Sequence, residues 1–250
     1  MNLAIFISGS GTTMEAILNA IKTSRLKNVH PVVVVVSSDP KAEGVWKAQN
    51  LGCEVEITYR KDYKSLEEFG QQLLAICSYR SVDFISQNGW LPLTPSNVVI
   101  EYKNRIINQH PGPLDSLYGN DFGGKGMYGA RVICARLAYS WLKRSEYWTE
   151  AVIHLVSEEF DKGEIINVSR MKLPQLSFSK IDQVFYEQLK QYTPIIQDKL
   201  RPIEHELVIQ TLQAIANGLI PSFHRKRRLA DLKSIDILKQ AKEIAMHLYP

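Results

Sequence analysis

Five consecutive valines, residues 32–36 behind Pro31, constrain this chain more than any other feature. β-Branched side chains are stiff at χ1 and favour extended backbone, and an apolar run without polar alternation suits a strand covered on both faces. Such a strand belongs inside a parallel sheet with helices on either side, so the flanking sequence should alternate strands with helices. It does. Residues 3–7 form a second short apolar run, and after Ser8-Gly9-Ser10-Gly11-Thr12-Thr13 come Met14, Ile17, Leu18 and Ile21 at the i, i+3, i+4, i+7 spacing of an amphipathic helix. The pattern continues with a helix over 41–50 closed by Gly52, a strand over 53–58 and a helix carrying Tyr63, Leu66, Phe69, Leu73 and Ile76. Strands over 82–86 and 105–109 follow. The expected fold class is α/β, a Rossmann-like open, mostly parallel twisted sheet with right-handed crossovers.

Residues 111–126 interrupt the rhythm with Gly112, Gly119, Gly123, Gly124, Gly126, Pro111 and Pro113, and they read as a long irregular loop of the kind that usually serves function. Beyond it the spacing predicts a helix over 127–142 and strands over 151–156 and 164–171 around Asp161-Lys162-Gly163. Helices over 179–200, 203–217 and 232–248 follow, the middle one capped by Gly218.

Thirty Lys and Arg against 26 Asp and Glu leave a net charge of +4, compatible with an anionic small substrate and too small to require a nucleic-acid or membrane partner. The basic run His224-Arg225-Lys226-Arg227-Arg228 lacks interleaved aromatics and reads as a solvated linker rather than a nucleic-acid patch. Cys53, Cys77 and Cys134 show neither CxxC nor Cys/His ligand spacing, so no disulfide framework or metal site is expected, and a reducing cytoplasm fits. The first apolar run is too short for a signal peptide or a membrane span, so a soluble, unprocessed, cytoplasmic chain is expected.

Three groups of residues could carry chemistry. The 8–13 stretch lies between a strand and a helix, where free N–H groups can hold a phosphate; it is neither a Walker loop nor a full GxGxxG, and a tight βα turn is the alternative. Asn108 and His110 stand i, i+2 at the end of a strand and so share one face, as a ligand-facing pair or as an ordinary strand-end amide and satisfied histidine. Asp161, two residues before Gly163, is either a loop carboxylate or a hairpin-turn residue.

Taken in order, Ile7-Ser8-Gly9-Ser10-Gly11-Thr12, Asn108-Gln109-His110-Pro111 and the segment 154–163 resemble the phosphoribosylglycinamide formyltransferase family, within the folate-dependent formyltransferase superfamily. Gly89-Trp90-Leu91-Pro92-Leu93-Thr94-Pro95 is similar to the family's folate-lining segment, and Glu204-His205-Glu206 to the start of its last helix. The resemblance implies that Asn108, His110 and Asp161 are catalytic, that Gly11, Thr12, Thr13 and Glu204 bind the phosphorylated acceptor, and that Trp90, Leu91, Leu93, Ser157, Glu158 and Phe160 bind the folate.

It further implies 10-formyltetrahydrofolate as cosubstrate, no metal, and formyl transfer to the amine of 5-phosphoribosylglycinamide in purine biosynthesis by a monomer or homodimer. Residues 1–220 are expected to form the formyltransferase domain, with an inserted helical segment at 174–200, and 221–250 a C-terminal helical extension. The chain departs from the family in the loop 111–126 and in carrying Tyr128 and Glu150 where relatives place histidine-containing motifs. Other readings are therefore a different amine acceptor such as an amino sugar nucleotide, a formyltetrahydrofolate hydrolase, and a non-catalytic nucleotide-binding module. The hydrolase is less favoured, because such relatives carry an N-terminal regulatory domain and this chain begins at the phosphate loop.

Overall fold

The computed structural model describes residues 1–250. Strand β1 (Asn2–Ile7), helix α1 (Thr12–Lys22), β2 (His30–Val36), α2 (Glu43–Asn50), β3 (Val55–Ile57), α3 (Leu66–Tyr79), β4 (Phe84–Asn88), α4 (Ser96–Glu101) and β5 (Ile106–His110) make the doubly wound half. Helix α5 (Ala130–Lys143), β6 (Trp148–Leu155), β7 (Ile165–Lys172), α6 (Gln183–Ala216) and α7 (Ile235–Leu248) complete the chain. The seven strands form one sheet in the order β3-β2-β1-β4-β5-β6-β7. β1 to β5 run parallel, while β6 pairs antiparallel to β5 and β7 antiparallel to β6.

The valine run divides between the two faces as its pleat requires. Val34 and Val36 join Leu3, Ile5 and Ile7 in the larger core under α1, α5, α6 and α7, whereas Val33 and Val35 join Ala4, Phe6, Phe69 and Leu73 under α3. Every one of those side chains is fully or almost fully buried. The order reverses at β1, which is flanked by β2 and β4, and ligands bind outside the carboxyl ends of strands at such a switch point.

Several elements differ from expectation. Helix α4 was not foreseen, because six residues are too few to show a period. Helices expected over 179–200 and 203–217 are one 34-residue helix, α6, with Pro194 and Pro202 inside it. A proline removes one intrahelical bond, but Leu189, Thr193, Ile196, Leu200, Leu207, Val208 and Leu212 bury a continuous stripe across both prolines, and that packing keeps the segment helical. The segment 174–200 is therefore a loop followed by the first turns of α6, not a separate inserted helix. Gly52 and Gly218, both at positive φ, close α2 and α6 with paired bonds back into the last turn: Cys53 N to Ala48 O and Gly52 N to Gln49 O, Leu219 N to Ala214 O and Gly218 N to Ile215 O.

The basic run is not a solvated linker throughout. Arg225 is buried against the fully buried Glu150, which also accepts from Arg170 Nε at 2.9 Å. Burying Glu150 would be costly without these partners, so the ion pairs draw the 223–229 strap onto β6 and β7. Arg225 Nε then donates to Leu114 O at 2.9 Å and Leu229 N to Asp115 Oδ2 at 3.3 Å, fastening the start of the glycine-rich loop. Helix α7 packs on α5 with Leu238, Ala241, Ile244 and Ala245 inside the same apolar cluster as β1.

Leu238→Ala should therefore cost about 2–5 kcal/mol, the range for truncating a buried leucine. Urea unfolding monitored by far-UV circular dichroism should show one earlier transition; a separate low-denaturant step confined to α7 would contradict its place in the shared core.

Candidate active site

The turn from β1 into α1 is held open by backbone contacts. Ser8 N donates to Gly89 O at 3.0 Å and Ser8 Oγ accepts from Leu91 N at 3.1 Å, tying the turn to the segment that leaves β4. Gly11 caps α1 at φ +64°, where a Cβ would lie 2.8 Å from Met14 Cε and 3.0 Å from Gly44 Cα. Only glycine fits that corner. Thr12 and Thr13 follow as the first residues of α1, so their free N–H groups and the positive helix end face the cleft.

The second wall is built by pairing. Antiparallel register places Asn108 of β5 directly opposite His154 of β6. After β6 the chain turns at Asp161, which has φ +57°, and at Gly163, where a Cβ would collide with Leu155 O at 1.5 Å. This turn sends the Asp161 carboxylate back over the sheet. Asn108 Nδ2 donates to His154 Nε2 at 3.1 Å and lies 3.4 Å from Asp161 Oδ1, which is 3.5 Å from both His110 Nδ1 and His154 Nε2. Gly124 N donates to Asp161 Oδ2 at 2.9 Å.

Backbone carbonyls decide the imidazole tautomers, because a carbonyl oxygen can only accept. His154 Nδ1 donates to Leu155 O at 2.8 Å, which leaves Nε2 to accept from Asn108 and fixes which end of that amide faces inward. His110 Nε2 donates to Phe122 O at 3.2 Å, so Nδ1, beside Asp161, is the nitrogen that gains and loses a proton. Burial pushes the His110 imidazole below its usual range, and the Asp161 charge, pulling upward, offsets only part of this. Burial also works to raise the Asp161 carboxyl, but the charge of protonated His110 and the Gly124 N–H hold it well below the usual carboxylate range.

These groups line one cleft of about 620 Å³ that runs from the α1 turn past Trp90, Leu91 and Leu93 to Ser157, Phe160 and Asp161. Trp90 shows the cleft little of its ring, which stacks on Phe69 and packs against Phe6, whereas Leu91 is half exposed. Glu204 reaches the cleft from α6, where burial pushes its carboxyl up to about 7 against the pull of the Gln109 amide and Arg201. Glu158 is exposed and accepts from Ser96 Oγ at 3.0 Å; it is its neighbour Glu159 that lines the cleft. The structure also brings in Gln109, Lys125, Tyr128, His154 and Gln197, none of which was singled out as a site residue from sequence. For His154 the missing information was the β5–β6 register; for Gln197 it was the continuity of α6.

Residues 1–192 match the formyl transferase family model, and the chain belongs to that family. It is similar to the trifunctional purine biosynthetic protein adenosine-3 of Gallus gallus, 24% identical over 88% of this chain and 19% of that protein. It is also similar to the chloroplastic phosphoribosylglycinamide formyltransferase of Arabidopsis thaliana, 28% identical over 68% of this chain and 55% of that protein. The chain thus spans about a fifth and about half of these two relatives. Among solved structures, the phosphoribosylglycinamide formyltransferase of Bacillus halodurans superposes with a TM-score of 0.68 at 23% identity, covering 86% of this chain and 95% of that one. No helix is long and apolar enough to cross a membrane.

Asp161→Asn keeps an acceptor for Gly124 N and removes the charge that favours protonated His110. The His110 titration followed by NMR should therefore move to lower pH with the fold intact; an unmoved titration would show that the imidazole does not sense Asp161.

Proposed function

We propose that the chain transfers a formyl group from 10-formyltetrahydrofolate to the primary amine of 5-phosphoribosylglycinamide. The observation that carries this reading is the convergence of Asn108, His110 and Asp161 on one wall of a cleft whose far end is an N–H-rich helix start. A phosphate held at Gly11, Thr12 and Thr13, with Glu204 beside the sugar, leaves the acceptor's amine free to extend toward Asn108 and His110. The folate lies along Trp90, Leu91 and Leu93 with its formyl carbon at the same point.

The chemistry follows from the groups present. The amine nitrogen attacks the formyl carbon, a C–N bond forms, and the carbonyl oxygen becomes negative. Asn108 turns its longer amide N–H contact from Asp161 to this oxygen, and protonated His110 supplies the second donor through Nδ1. Asp161 stabilises that imidazolium and aims it. His110 then gives its Nδ1 proton to the folate nitrogen, whose bond to carbon breaks, and the neutral imidazole takes up the proton lost by the attacking nitrogen, giving a formamide and tetrahydrofolate. All charge development is met by this chain's own side chains.

His110→Ala should lower turnover by roughly 10²–10⁴, as for loss of a positioned acid/base, and Asn108→Ala by about 10²–10³ through loss of an oxyanion donor. Both should change substrate binding far less. Purified protein incubated with 10-formyltetrahydrofolate and a panel of phosphorylated and unphosphorylated amines, read by product mass, tests donor and acceptor together. Formylation of an amino sugar nucleotide in preference to phosphoribosylglycinamide would replace the acceptor, and release of free formate alone would replace transfer by hydrolysis.

A further inference from the structure

The family match ends at residue 192, and α7 lies beyond it, yet this helix reaches back to the reacting groups. The backbone from Asp121 to Gly124 offers its polar atoms to two sides in turn. Asp121 O and Gly123 O accept from Lys242 Nζ at 3.1 and 2.7 Å; between and beside them, Phe122 O accepts from His110 Nε2 at 3.2 Å and Gly124 N donates to Asp161 Oδ2 at 2.9 Å. These atoms belong to successive peptide units, and planar peptides cannot shift on one side without shifting on the other.

Two further contacts make the connection stiff. Gly123 passes so close to Asp161 that a Cβ would lie 2.8 Å from Asp161 Cβ and 2.6 Å from Leu114 Cδ2. The carboxylate of Asp121, itself buried, accepts from Gly123 N and from Asp115 N at 3.0 Å each, bracing the same stretch from within. On the other side, Leu238, Ala241 and Ala245 seat α7 in the apolar core, so packing alone would be served by an uncharged residue at 242. A half-buried ammonium is costly there, and Asp121 and Asp161 attract it while Lys162 repels it.

We propose that Lys242 is a positioning residue for formyl transfer: it clamps the 121–124 backbone and thereby sets the tautomer and ring orientation of His110 and the aim of Asp161. The kinetic side of this proposal rests on the transfer reaction proposed above; the geometric side does not. Removing the clamp loosens Phe122 O from His110 and Gly124 N from Asp161, and small misplacements of reacting groups are expensive in rate.

The test uses Lys242→Met, close in shape and without charge or donors, and Lys242→Arg, which restores both. K242M should keep the thermal midpoint within a few degrees, lose about tenfold to a hundredfold in kcat, and leave KM for donor and acceptor within about threefold, a pattern expected when ground-state binding is intact; K242R should recover part of kcat. A second readout needs no turnover. His110 is faced by Asp161, His154 and Asp121, and its NMR titration should move to lower pH in K242M, because the two contacts that favour the protonated ring have loosened. Deleting a nearby positive charge without moving anything would shift it to higher pH, so an upward or absent shift, or an unchanged kcat, overturns the proposal. Should K242M fail to fold, Lys242→Gln carries the same two readouts. Wild-type protein that formylates no amine but shows the downward shift in K242M would overturn the proposed reaction and support the clamp.

Discussion

The Asp161 carboxylate is the charge around which the rest of the cleft is arranged. It is almost completely buried, and an ionised carboxyl in that setting persists only if donors and positive partners surround it. Asn108, the Gly124 amide and protonated His110 fill those places. Asn108 is held in turn by His154, which is anchored to Leu155 O, and His110 is anchored to Phe122 O. The result is a pre-set field into which a developing oxyanion and a shuttled proton can enter with little rearrangement.

Two structural decisions put the charge there. β6 runs antiparallel to the strand it joins, which brings His154 across from Asn108 and Leu155 across from Ile107, and the turn that follows folds back to set Asp161 beside Asn108 and His110. The loop 111–126 then has to lie against that turn. It is irregular in backbone but buried at Leu114, Asp115, Asp121 and Phe122, and the C-terminal region holds it through Arg225 at Leu114, Leu229 at Asp115 and Lys242 at residues 121 and 123, while Arg131 of α5, bonded also to Tyr249 O, holds it at Gly126. The last 30 residues thus act on the cleft from outside it.

The α/β half was legible because its physics is local. Glycines at the α1 turn and the i, i+3, i+4 stripes each announce their own element within a dozen residues. Asn108 and His110 were legible as a pair for the same reason, since alternation along one strand puts them on one face. His154, Gln109 and Gln197 were not, because their approach depends on strand register and on a helix that runs through two prolines. Glu158 illustrates the opposite error: adjacent residues in a short turn point in different directions, and the sequence does not say which of Glu158 and Glu159 faces inward.

By itself the sequence determined the layered sheet, the glycine corner that opens α1, and the residue types able to hold an oxyanion and move a proton. Only the tertiary structure decided how these are charged and aimed. Burial sets His110 below its usual range despite Asp161, and lifts Glu204 to about 7. The physical reason is distance in the chain: desolvation, antiparallel register and the Lys242 contacts all join residues separated by tens of positions, and none of these leaves a periodic trace in the residues that make them.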